Sequence, residues 1–174
     1  MRSVGCGTLL RPTRFIICFF PNGNALIPPP DCNAPPGLRT KRRDIAFDAD
    51  LGSAPGPDWA NEIDQVVVLG NLITTEVVFF HARSGTVLFT DLIQQIPIDL
   101  LSGWRATVAK LDLMTGSEPS VPRKFRIAFV NRRAAREALR GILAWPSEKV
   151  LMAHGTPVEK DARAYLRRAF GWLM

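Results

Sequence analysis

The sequence predicts an α/β layered domain, and three observations predict it. Short runs of β-forming residues alternate with segments whose apolar residues recur at helical spacing, the pattern of helices laid on a sheet. The chain has 174 residues, 47% of them hydrophobic, which suffices for one sizeable core, and no uninterrupted apolar run reaches membrane-spanning length. Composition also changes near residue 33: before it no helical or strand period survives for long, whereas from Gln65 onward every segment is locally consistent.

Residues 1–33 hold all the cysteines (Cys6, Cys18 and Cys32) and the run Pro28-Pro29-Pro30, and read as irregular. The domain proper is expected over 34–174, beginning with turn material in "APPGLRTKRRD" and "GSAPGPDW". Three short strands follow: "QVVVLG" (65–70), "TTEVVFFH" (74–81) and "TVLFTD" (86–91). "DLLSGWRATVAKL" (99–111) has helical spacing, with Asp99 placed to cap it. "KFRIAFV" (124–130) alternates as a strand does. Asn131 then caps "NRRAAREALRGILAW", with Ala135, Ala138, Leu139, Ile142 and Leu143 on one face and arginines on the other. "KVLMAH" (149–154) reads as another buried strand. Asp161 opens a last helix that docks Tyr165, Leu166, Ala169, Phe170 and Leu173 on the sheet, and Trp59, Trp104, Trp145 and Trp172 are expected as packing anchors.

The charge of +6 comes mostly from arginine. These arginines are spread over several segments without interleaved aromatics, so a basic surface is expected and a nucleic-acid partner is not. "TKRRD" (40–44) reads as a solvated turn. Three cysteines without metal-type spacing exclude a disulfide framework and fit a reducing, cytoplasmic compartment. "FIICFF" after Arg2 is too short for a signal-peptide core and lacks a small-residue cleavage site, so neither targeting nor a membrane partner is expected.

Three residues carry the candidate chemistry. His81 follows "EVVFF", Asp91 follows "TVLFT" and His154 follows "KVLMA", each just past an apolar run. In layered α/β domains ligands gather beyond the C-terminal strand ends. Two imidazoles and a carboxylate suit zinc, manganese or iron. If all three converge, one divalent cation is held with a position left for the water that hydrolysis consumes.

"EVVFFHARSGTVLFTDLI" followed later by "VLMAHGTPV" resembles the second half of a metallo-β-lactamase-fold protein. There a His precedes a hairpin, an Asp follows "TLLFTGD"-like residues, and a final His lies in "HG" near the C-terminus. More closely, the stretch from "APPGL" to "RRAFGWL" resembles a bacterial branch known only as a domain of unknown function. The resemblance implies an αββα sandwich with His81, Asp91 and His154 as metal ligands and a metal-dependent hydrolase as the activity. The HxHxDH motif of the catalytic members is absent, and the chain has only 2 histidines, so a dinuclear site cannot be completed. The expectation is therefore an incomplete metallo-β-lactamase-like sandwich with its C-terminal half intact. Its alternative is a non-enzymatic, metal-free remnant or interaction module. A sheet lacking its partner layer exposes apolar surface around Val66 to Leu69 and Phe79, and self-association is expected there.

The resembled branch carries "PN..HH…EW..AYP.A" where this chain has its irregular first part. Codons for "FIICFF" exist whose shifted frame reads His-His-Leu-Leu-Leu, and the same frame through "PNGNALIPPPDC" permits "SEWQRAYPAARL". Residues from about 10 to 33 are thus expected to be out-of-frame translation, with a genuine divergent loop as the alternative, to be decided on the nucleotide sequence.

Overall fold

The computed structural model describes Ile17–Cys18 and residues 32–174. The protein is mixed α/β, with two sheets and five α-helices among those residues. The smaller sheet holds β1 (Ile17–Cys18), β2 (Cys32–Ala34) and β3 (Ala49–Asp50), with the short helix α1 (Leu38–Lys41) between β2 and β3. β2 runs across the 33/34 boundary expected between irregular segment and domain. The out-of-frame reading falls mainly on residues outside those described.

The larger sheet has the order β4 (Ile63–Val68), β5 (Glu76–His81), β6 (Thr86–Gln94), β7 (Lys149–His154). β4, β5 and β6 form an antiparallel meander, and β7 lies parallel to β6. Antiparallel neighbours need only tight turns. At the β5–β6 hairpin Gly85 takes φ +61°, a left-handed conformation that glycine adopts without strain. A parallel pair needs a crossover. Here the crossover carries α2 (Trp104–Leu111), α3 (Arg123–Ala128) and α4 (Arg132–Ala144), and α5 (Ala162–Phe170) follows β7.

β5 is buried on both faces, and its period of two sorts its side chains between two layers. Val78 and Phe80 join Val87, Phe89, Leu139, Ile142, Leu166 and Phe170 in the main core beneath the helices. Phe80 stacks on Trp145 with ring centroids 5.3 Å apart, and Phe89 meets Phe170 at 5.8 Å. Val77 and Phe79 point the other way and are covered by Leu51, with Trp59, Ile63 and Val67 packed alongside. This corrects the expected bare sheet: Phe79 is buried because the 51–63 segment folds over the second face, and Val68 is buried in the main core on the other face. Leu69, just past β4, is exposed as expected, and further apolar exposure on the sheet is found at the cross-strand neighbours Leu88 and Leu151.

Four further expectations are corrected. The 124–130 strand is the helix α3: Pro122 opens it with φ −55°, and Phe125, Ala128 and Phe129 bury one helical face while Ile127 is 79% exposed. Asp99 does not cap α2, since it lies in a 3-10 turn and the helix starts after Gly103, whose φ is +57°. β7 is an edge strand with only Val150 fully buried. Trp104 is 73% exposed and anchors no core. Two helix readings stand: Asn131 Oδ1 accepts the Ala134 N–H at 3.1 Å, and Tyr165, Leu166, Ala169, Phe170 and Leu173 are buried. Among the described residues no helix is long and apolar enough to cross a membrane.

Candidate functional site

The site is built where β6 stops being a regular strand. From Thr86 to Phe89 it pairs with β7 in register, Thr86 opposite Lys149 through Phe89 opposite Met152. The next pair is Gln94 opposite His154, so β6 spends far more chain than β7 over the same span. On its other side, pairing with β5 ends at Leu88 opposite Phe79. The extra residues form a bulge, which re-aims side chains at the cost of ladder hydrogen bonds. Asp91 sits on it.

The bulge brings Asp91 to His154. Asp91 Oδ1 lies 3.3 Å from His154 Nε2. Parallel strands bring their C-terminal ends together, and the Gln95 N–H donates to the His154 carbonyl at 2.6 Å, tying the two strand ends.

His81 stays apart from this pair. β5 is antiparallel to β6, so the C-terminal end of β5 faces the start of β6, and His81 is paired with Thr86. The expected convergence of His81, Asp91 and His154 on one ion is therefore corrected: hairpin connectivity sends His81 to the opposite end of the sheet from Asp91. Its Nδ1 meets Ser84 Oγ at 2.7 Å, and Ser84 in turn donates to Thr86 Oγ1 at 2.8 Å, so the ring is engaged by its own turn.

The bulge has a partner that sequence reasoning passed over. The Thr90 N–H donates to Glu76 Oε1 at 2.6 Å, and the Asp91 and Leu92 N–H groups donate to Oε2 at 3.0 and 2.8 Å. Glu76 is only 2% exposed. Burial pushes its carboxyl up to about 7, against the downward pull of the three N–H groups, and the charge of Asp91 adds to the rise. The available signal was an acid opening the strand "EVVFF", where a solvent-facing residue would be expected to keep company with water.

Asp91 also borders a small cleft of about 150 Å³, with Thr75 and Thr90 beside it, Leu38 and Leu51 among its apolar residues, and Lys41 also on its lining. None of the salt bridges found among the described residues uses Lys41.

For a cation, the spacing of the pair is suitable. Two donors on one tetrahedral zinc, each about 2.1 Å from it, stand about 3.4 Å apart. The Asp91–His154 separation of 3.3 Å matches that edge. Among the described residues, however, no group of three or more His, Cys, Asp or Glu side chains could hold a metal ion. The pair therefore fits two coordination positions, and the described chain offers no third such side chain.

No protein-family model matches the chain, and no curated protein matches it.

Proposed function

We propose that the chain is an incomplete metallo-β-lactamase-like domain of the metal-dependent hydrolase type, whose Asp91 and His154 hold one divalent cation (zinc, manganese or iron) beside the small cleft. The observation that carries this reading is the 3.3 Å approach of Asp91, on the bulge of β6, to His154 at the end of the parallel neighbour β7. When bound there, such a cation supplies Lewis acidity. The chain's own part is to hold the two donors, with the wall of Thr75, Thr90 and Lys41 orienting a small substrate beside them. His81 has no part in it.

Equilibrium dialysis against zinc, manganese and iron(II) tests the reading. About one ion per chain is expected, lost in Asp91→Ala and in His154→Ala and retained in His81→Ala. Substoichiometric metal in the wild type, unchanged in His154→Ala, would sink it.

One observation favours a second reading, a metal-free remnant or interaction module: Asp91 and His154 satisfy each other and no third donor side chain joins them among the described residues. In either case we read the protein as cytoplasmic and without a nucleic-acid partner. Arg39, Arg42 and Arg168 support the second point, each being tied to a carboxylate, Asp50, Asp44 and Glu118 respectively. Self-association belongs to the proposal, at the positions the outer layer leaves open, Leu88 and Leu151. A single sharp monomer peak in sizing at high concentration counts against it.

A further inference from the structure

We infer that Glu76 is the positioning residue of this site: its carboxylate holds the β6 bulge in the one shape that turns Asp91 toward His154. The inference deepens the metal reading and rests on it for its functional meaning, while its geometry stands without a metal.

A bulge inside a sheet has a defect to repair. Where β6 leaves the β5 ladder after Leu88, backbone N–H groups that would have met carbonyls of β5 lose those partners. An unsatisfied buried N–H costs about 1–3 kcal/mol. Three N–H groups in succession, part-buried on Thr90 and Asp91 and buried on Leu92, all donate to one side chain, using both oxygens of Glu76. No other residue type does this as well. An aliphatic side chain leaves the donors bare, and a glutamine places its own donor NH₂ against an N–H.

The pairing of the side chain points the same way. Among the described residues Glu76 makes no salt bridge. A buried carboxylate without a cation is costly, and the N–H cluster is its compensation. The cluster flanks and includes Asp91, so what Glu76 fixes is the backbone from which the Asp91 side chain departs. Groups behind a metal ligand typically change affinity by about 10–100-fold when lost.

The test uses the full chain, with zinc as the probe. Glu76→Gln is expected to weaken zinc binding about ten-fold or more. Amide exchange at Thr90, Asp91 and Leu92 should quicken while the core stays protected. Leu139→Ala, which removes packing far from the bulge, serves as the control for lost stability. It should lower the melting temperature and leave zinc affinity unchanged. Zinc held as tightly by Glu76→Gln as by the wild type, or weakened equally by Leu139→Ala, overturns the inference. If the wild type itself holds no zinc, the metal reading falls alone. Glu76 is then judged by a crystal structure of Glu76→Gln: separation of Asp91 from His154 supports the assignment, and a preserved contact overturns it.

Discussion

At the scale of single residues, the two side chains that meet were both legible, and the third was misplaced for a reason of connectivity. Asp91 and His154 each end an apolar run, and their strands are parallel neighbours. His81 ends an equally good run, but a short Arg-Ser-Gly turn to the next strand already implies an antiparallel hairpin, and antiparallel partners end at opposite sides of a sheet. Reading the turn before the strand end would have removed His81. Glu76 was illegible because its role depends on a bulge, and a bulge leaves no period to detect. Tyr165 offers a clean prediction at this scale. It is the only tyrosine in the chain, it is buried, and its hydroxyl donates to the Pro119 carbonyl at 2.9 Å. Burial, chiefly, and the nearby Glu118 charge raise its phenol above the ordinary range. A phenol whose folded pKa is raised favours the fold while neutral, so its contribution is complete below about pH 10, where the unfolded phenol ionises, and declines as pH rises beyond. Denaturant melts should therefore lose stability above that pH, with tyrosinate absorbance growing only as the protein unfolds. Tyr165→Phe should flatten the alkaline decline and cost about 1 kcal/mol near neutrality. Tyrosinate forming freely in the folded protein at about pH 10 would contradict this.

At the scale of elements, α4 was legible because a cap and a helical period mark it together, with Asn131 as cap and Ala135, Leu139 and Ile142 on its buried face. α3 has neither a capping side chain nor sufficient length, and "FRIAF" fits a period of two as well as a helical face. The structure decides for the helix, because Pro122 supplies a preset φ and the Phe125–Phe129 spacing buries together. Two substitutions check these assignments in urea melts. Ile127→Lys is expected to change stability by less than about 0.5 kcal/mol, since the side chain is 79% exposed on a helix, whereas a buried strand residue would cost several-fold more. Asn131→Ala should cost about 1 kcal/mol through loss of the Ala134 N–H acceptor, and Asn131→Asp should cost almost nothing.

At the scale of the molecule, the α/β layering was legible and the covering of the second sheet face was not. The 34–64 segment has no sustained period, yet Leu51 and Trp59 from it close over Val77 and Phe79. Turn-rich sequence hides such layers, because a few apolar residues among Pro and Gly give no pattern. Phe79→Ala is accordingly expected to destabilise by about 3–5 kcal/mol, as for a true core residue. Under the bare-sheet expectation the same change would cost little, so one melting curve separates the two descriptions.

The parallel pairing of β6 with β7 also dictates when the Asp91–His154 contact can exist. Between these residues lies the whole α2-to-α4 crossover, so the ends meet only after a long stretch of polymer has been closed into a loop. On the ribosome the β4–β5–β6 meander emerges complete while His154 is still unsynthesised or inside the exit tunnel. A nascent chain arrested before β7 therefore presents Asp91 on an open strand edge without its imidazole, and any competence of the pair waits for β7.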